Sequence, residues 1–204
     1  MYHQCIAPQR SEEWHKMRKH RLTASNFSCV IRGRGYRSPE KLREDMLKCE
    51  KIEINGAMQH GIDNEDNARK FYEETTGNKV VEVGLCIPLW DKRIGGSPDG
   101  LVGDDGCIEI KCPKRMYPKL TIEPFNMANI TPSHFDQMQG CMAILGRKWC
   151  DYVVYATESE NVFIERVPFD EKYWNETLYF AIKDFLDKTT GLEPFDIEIA
   201  TPKI

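Results

Sequence analysis

The sequence predicts an α/β (α+β) domain with a central mixed β-sheet flanked by helices. Three observations carry this. Apolar residues recur at helical spacing up to Gly77, alternate in twos from Val80, return to helical spacing at Pro132 and alternate again from Trp149. The resulting order is helices, a block of short strands, a helix, two strands and a closing helix, the order of a sheet with helices packed on it. The length, 204 residues, suits one domain with one sizeable core.

The elements follow in order. Ser11 before Glu12 and Glu13 reads as a helix start, with Trp14, Met17 and Arg18 on successive turns. Residues 23–31 read as a second short helix capped by Thr23. Ser38-Pro39 opens a third that runs to about Cys49, since proline is tolerated at the first helical position. Residues 61–76 form an amphipathic helix ended by Gly77. Residues 80–90 are apolar, β-branched and alternating, and read as one strand. Residues 93–95, 100–103 and 107–112 read as further short strands, and 132–145 as a helix. Residues 149–157 and 162–167 read as two strands joined by a polar turn, and 172–188 as the closing helix. There is no internal repeat and no low-complexity linker. The chain therefore reads as a single domain over 1–204, with a helical N-terminal part at about 11–50 and the core at about 58–190.

Hydrophobic content of 41% and charged content of 29% are those of an ordinary globular protein. No apolar run approaches the roughly 18 residues of a membrane span, so no membrane association is expected. Met1-Tyr2-His3-Gln4-Cys5 lacks the basic start and apolar stretch of a secretory signal, which points to an intracellular chain. The eight cysteines include no C-x2-C pair, which argues against zinc and against an iron–sulfur cluster and for reduced, mostly buried thiols. A net charge of −4 counts mildly against nucleic acid as a partner. The distribution counts the other way. Bases cluster as HKMRKHR at 15–21, RGRGYR at 32–37 and KCPKRMYPK at 111–119, while acids gather at 158–160, after Phe169 and in the C-terminal tail. A groove can be locally positive on an acidic protein.

The chemistry centres on Ser97-Pro98-Asp99-Gly100-Leu101, the turn Asp104-Asp105-Gly106, and Cys107-Ile108-Glu109-Ile110-Lys111-Cys112-Pro113. Taken as a hairpin with a three-residue loop, it sets Gly103 opposite Cys107, Leu101 opposite Glu109 and Asp99 opposite Lys111. Opposed residues share a side of the sheet, so Asp99, Glu109 and Lys111 lie on one face. Val102, Ile108, Ile110 and Cys112 lie on the other, expected to be the buried one. Asp99 and Glu109 become diagonal neighbours, with Cβ atoms roughly 7–8 Å apart. Two carboxylates so placed can share a hard cation such as Mg²⁺, which keeps waters for a phosphate. Register alone leaves a second reading open, an exposed hairpin with an Asp99–Lys111 cross-strand pair. Gly95-Gly96 and Pro113, on the flanks, suit a backbone that approaches something closely.

With these residues in view, the sequence resembles the PD-(D/E)xK nuclease superfamily, in its lambda-exonuclease and YqaJ-type viral recombinase branch. Ser-Pro-Asp-Gly-Leu at 97–101, followed by Glu-Ile-Lys-Cys-Pro at 109–113, is similar to its catalytic core. Trp14-His15-Lys16-Met17-Arg18 with Leu22-Thr23-Ala24-Ser25 is similar to its N-terminal signature. Gly61-Ile62-Asp63-Asn64-Glu65, continuing through Ala68 and Tyr72 to Gly77, resembles its helix bearing a third acid, and 134–140 its glutamine-bearing helix. The four blocks keep family order over about 14–145. The C-terminal third matches only in its strand–strand–helix pattern.

The resemblance implies a restriction-endonuclease-like core and roles for particular residues. Asp99 and Glu109 would hold metal together with the Ile110 carbonyl, and Lys111 would orient or deprotonate the attacking water. Glu65 would be a further ligand of a two-metal site; read from its helix alone, it is a cap or salt-bridge residue. Arg18, Ser25 and Ser97 would hold a terminal phosphate or its neighbours. Gln137 and Gln139 sit two apart on a helix and cannot face one point; Gln139 is assigned to the site and Gln137 to packing behind it. His134 is either a phosphate contact or structural, and Trp14 a packing anchor.

The implied activity is a Mg²⁺-dependent (or Mn²⁺-dependent) exonuclease that degrades linear double-stranded DNA from 5′ ends to 5′-mononucleotides in recombination. A structure-selective endonuclease on the same core, or a non-catalytic DNA-binding protein, are the alternatives. Double-stranded DNA ends are the implied substrate. By family analogy, a single-strand annealing protein and a ring of three copies are the candidate partners.

Overall fold

The computed structural model describes residues 1–4, 7–49, 55–113, 130–157 and 161–194. In chain order the elements are β1 Tyr2–Gln4, α1 Glu12–Arg18, β2 Leu22–Thr23, a 3₁₀ helix Ala24–Val30, α2 Pro39–Lys48 and α3 Gly56–Thr76. Next come β3 Val80–Val81, β4 Cys86–Pro88, β5 Ile94–Gly95, β6 Gly100–Val102 and β7 Gly106–Lys111. The chain continues with α4 Pro132–Leu145, β8 Trp149–Ala156, β9 Asn161–Pro168, α5 Glu171–Tyr173, a π-helical turn Trp174–Leu178 and α6 Tyr179–Asp187. The basic residues at 114–119, the acids at 158–160 and in the tail, and Cys5 lie outside the described residues. Among the described residues, no helix is long and apolar enough to cross a membrane.

The main sheet has the order β3-β6-β7-β8-β9, with β7 and β8 parallel and the other pairs antiparallel. It is the mixed sheet the sequence predicts. Both faces are covered. Ala68 and Tyr72 of α3 pack on Val102, Ile108, Ile110, Cys112, Val153 and Tyr155. Met138 and Met142 of α4 pack on Cys107, Cys150, Tyr152, Val154 and Val167. The expectation of one buried face and one open one is therefore corrected. The Glu109 face is closed by α4, and Glu109 itself is 2% exposed.

The helix ends follow local chemistry. Ser11 and Ser38 accept hydrogen bonds from the amides of Trp14 and Lys41, each satisfying a free amide of the first turn. Gly77 and Gly146 end α3 and α4 in the left-handed region, at φ 72° and 66°. Three expectations are revised. The second helix is 3₁₀, and Thr23 does not cap it: its hydroxyl accepts instead from Arg18 and Asn26. α3 begins at Gly56 rather than 61, because Asn55 accepts from the amides of Ala57 and Met58. Residues 80–90 form two strands. β3 lies on the main sheet, whereas β4 pairs with β1, where Leu85 and Ile87 pack with Trp14 and Met17. The closing helix is α5 and α6 joined through the π turn.

α4 is the pivot of the layers. Behind it, Cys141, Ile144 and Leu145 join Phe27, Leu42, Trp174 and Leu178. Gly140 lets the 3₁₀ helix come close, for a Cβ there would fall 2.3 Å from the Phe27 ring. Gly96 is similarly crowded, with Cys141 and Ile144 at 3.2 Å, so the tight Gly95-Gly96 backbone serves the core rather than a ligand. Asp136 of α4 is fully buried and accepts from Arg34 Nε (2.6 Å), Arg34 Nη2 (2.8 Å) and the Tyr173 hydroxyl (2.6 Å). Asp136→Ala leaves both donors without an acceptor. It should cost about 3 kcal/mol of unfolding free energy, read as a lower urea midpoint at unchanged slope.

Candidate nuclease active site

Val102 pairs with Gly106 and Gly100 with Ile108, so the hairpin loop is Gly103-Asp104-Asp105, with Gly103 at φ 53°. The register is two residues away from the expected one. Because side chains alternate in twos, a shift of two keeps every residue on its expected face. What changes is the apposition: the ladder ends with Gly100 opposite Ile108, Asp99 lies at the bend just before it, and the expected pairing of Asp99 with Lys111 is not formed. The Asp99 amide donates to the Ile108 carbonyl at 3.1 Å, and its Oδ2 accepts from the Ile110 amide at 2.6 Å.

The electrostatics follow from this placement. Burial, then the charges of Glu109 and Glu65, push Asp99 well above the usual carboxylate range, against the pull of Lys111 and the Ile110 amide. Burial disfavours the Lys111 ammonium, but Glu109 and then Asp99 outweigh it and raise the group above its ordinary value. Glu109 Oε1 accepts from Lys111 Nζ at 2.5 Å and from Gln137 Nε2 at 2.6 Å. Its other oxygen, Oε2, is buried and has no hydrogen-bond partner among the described residues.

These groups line a cleft of about 630 Å³ together with Glu65, Ile110, Arg18, Ser25, Ser97 and His134. In the same cleft, the Arg18 guanidinium lies 4.0 Å above the Trp14 ring and donates to the Thr23 hydroxyl at 3.2 Å. Trp14 Nε1 donates to Ser97 Oγ at 3.2 Å, and Ser25 Oγ lies 3.4 Å from Thr23 Oγ1. Burial lowers Arg18 to about 10, and among the described residues no carboxylate pairs with it. The other arginines of the basic clusters are committed elsewhere. Arg32 pairs with Glu40, Arg34 with Asp136 and Arg37 with Asp45, while Arg21 donates to the carbonyls of Met17 and Lys92. Of the five arginines described in these clusters, Arg18 is the one that lines the cleft.

The two glutamines exchange their expected places. Gln137 reaches Glu109, whereas Gln139 is fully buried, donating to the Pro168 carbonyl at 2.9 Å and accepting from the Asp170 amide at 2.8 Å. Burial and Lys111 push His134 down to about 3, and its Nδ1 lies 2.8 Å from the Tyr152 hydroxyl. It lines the cleft wall. Glu65 lines the cleft, but its carboxylate pairs with Arg10 and, at 3.7 Å, with Arg69. Among the described residues, no three His, Cys, Asp or Glu side chains form a ready metal cage. Arg10 and Gln9, which also line the cleft, carried no motif and escaped sequence reasoning.

Residues 13–148 match the YqaJ-like viral recombinase domain. The chain belongs to the YqaJ-like viral recombinase family. This YqaJ-like protein is similar to an alkaline exonuclease, LHK-Exo, from Laribacter hongkongensis, with 34% identity over 88% of this chain and 92% of that one at a TM-score of 0.77. The structure of LHK-Exo in complex with dAMP gives 33% identity over the same shares and a TM-score of 0.78. A phage-related exonuclease from Haemophilus somnus shares the fold, at 15% identity, 82% of this chain, 90% of that one and a TM-score of 0.58. No curated protein matches the chain significantly.

The glutamines separate by experiment. Gln137→Ala should lower activity about tenfold or more with little change in melting temperature. Gln139→Ala, which strands the Asp170 amide, should cost about 1–3 kcal/mol of stability and leave turnover in the folded protein nearly unchanged. Thermal melts beside initial rates read both, and the opposite pattern restores the original assignment.

Proposed function

We propose that this protein is a divalent-metal-dependent DNA exonuclease of recombination, which trims linear duplexes from 5′ ends and releases 5′-mononucleotides. One observation carries the reading: among the described residues, Glu109 keeps a buried carboxylate oxygen without a partner, in a cleft that it shares with Asp99 and with an arginine, Arg18, that pairs with no carboxylate. A buried carboxylate oxygen left alone is costly, and the charges of Glu109 and Glu65 that push Asp99 upward favour a cation among these carboxylates. The donor set is all oxygen, which fits Mg²⁺, with Mn²⁺ as substitute.

Asp99, Glu109 and the Ile110 carbonyl would hold the ion, with Glu65 available to a second. When bound, such an ion supplies charge to offset that of the phosphodiester and lowers the pKa of a coordinated water. The chain's own residues do the rest. Lys111, held charged, orients the attacking water and offsets charge on the phosphoryl group. Gln137 fixes the Glu109 rotamer. Arg18 takes the terminal phosphate, flanked by the Ser25 and Ser97 hydroxyls, and Trp14 orients both Arg18 and Ser97. The 5′ polarity comes from the family resemblance, and the mononucleotide product from it and from LHK-Exo, whose complex holds dAMP. An intracellular setting, an annealing protein as partner and a ring of three copies belong to the same reading by family analogy.

With Mg²⁺, a labelled linear duplex should be degraded and a covalently closed circle left intact; cutting of the circle would convert the reading to an endonuclease. Chelation, Asp99→Ala or Lys111→Ala should each lower the rate on the order of a thousandfold in a protein that still folds. Full activity of either variant removes the assignment. Arg18→Ala should slow 5′-phosphorylated ends about tenfold more than 5′-hydroxyl ends. Equal losses would take Arg18 out of the phosphate site.

A further inference from the structure

The carboxylates of the cleft are unequally provided with cations. Glu109 has Lys111, and Asp99 has the Ile110 amide. Glu65 has Arg10, whose guanidinium pairs directly with Oε2. Arg69 is the weaker neighbour, at 3.7 Å from Glu65 and shared with Asp66 and Glu82.

Arg10 is delivered there by a strapped segment. Gln9 Nε2 donates to the carbonyls of Val83 (3.1 Å) and Pro98 (3.0 Å), the latter adjoining Asp99. The Ser11 amide donates to the Pro8 carbonyl at 3.2 Å, just before α1 begins. Between these anchors Arg10 has φ 69°, a left-handed conformation that glycine adopts freely and an L side chain only at some cost. Its side chain remains 43% exposed, so it can leave Glu65 for water without moving the core.

We propose that Arg10 is the resident counter-ion of Glu65, holding that carboxylate in the metal-free cleft and yielding it when a divalent cation binds beside Asp99. Arg10 is thus a positioning residue that acts through Glu65 and sets the metal concentration the enzyme requires. The inference rests on the reading of Glu65 as a metal ligand. The physical basis is competition: a carboxylate paired with a guanidinium must give up that pair before it can coordinate an ion, and the ion repels the guanidinium in turn.

The test uses the full chain and Mn²⁺ alone, titrated without DNA by calorimetry or by the electron paramagnetic resonance of free Mn²⁺. Arg10→Gln and Arg10→Gly should each bind Mn²⁺ about threefold to tenfold more tightly, while Arg10→Lys, which can still pair, should stay near the parent. Circular dichroism checks that each variant folds. Glu65→Gln should weaken Mn²⁺ binding, and adding Arg10→Gln to it should change nothing further. Unchanged or weaker binding in Arg10→Gln, with Glu65→Gln still weakening it, overturns the proposal. So does a gain that persists in the Glu65→Gln background, which would be a diffuse charge effect. If Glu65→Gln leaves Mn²⁺ binding unaltered, the ligand role of Glu65 fails instead, and the two failures stay distinct.

Discussion

Asp99, at the bend before β6, and Glu109, buried on β7, bring two like charges into one cleft, and their repulsion opposes folding. Taking a carboxylate out of water costs several kcal/mol unless it is paired and hydrogen-bonded. The surrounding structure supplies that pairing in part. The Ile110 amide donates to Asp99, and Lys111 and Gln137 both donate to one oxygen of Glu109. Among the described residues, none donates to the second Glu109 oxygen. Stability alone would favour filling it with one more polar side chain. Leaving it empty is the arrangement a cation-binding function requires.

That arrangement holds only while α4 stays seated on the sheet, because α4 both carries Gln137 and closes the Glu109 face. Its seating draws on three separate devices. Met138 and Met142 bury themselves against β7 and β8, each contributing about 2 kcal/mol. Gly140 admits Phe27 at a distance any larger residue would refuse. Asp136, one residue before Gln137, is fastened by Arg34 from one side and Tyr173 from the other. Arg34 belongs to a cluster that looks, in sequence, like a nucleic-acid contact. Its neutralisation by Asp136 shows that a basic cluster in the sequence need not be a basic surface: Arg32, Arg34 and Arg37 each pair with an acid, whereas among the described residues no carboxylate pairs with Arg18.

How far the sequence could be read follows from which signals are local. Parity along a strand is local, so Asp99, Glu109 and Lys111 fall on one face whether the loop begins at Gly103 or one residue later. The register itself is not, since it depends on whether Gly103 or Gly106 takes the turn. Helix ends written in Ser11, Ser38-Pro39, Gly77 and Gly146 are local, and the helices start or stop there. Periodicity cannot tell which of two glutamines two residues apart turns towards a site, for that is set by which side of α4 meets the sheet. Gln139 falls over the β9–α5 corner and caps it, leaving Gln137 to Glu109. Nor can it show that residues 80–90 leave one sheet for another, because both halves are equally apolar. Arg10 carries no motif at all; only the folded chain, through Gln9, brings it to Glu65.

Trp14 then explains why recognition of an end and hydrolysis near it belong to one rigid unit. Its indole lies under the Arg18 guanidinium, its Nε1 holds Ser97, and Ser97 stands two residues before Asp99. The ring is itself fixed by Met17, Leu85 and Ile87. One buried side chain therefore links Arg18 to the segment that carries Asp99. A strand held by its terminal phosphate meets the hydrolytic groups at a distance that neither loop motion nor side-chain rotation readily alters. On the proposed function, preference for an end is then a property of spacing: an internal phosphate placed at the carboxylates would bring a continuing chain, rather than a terminus, against Arg18.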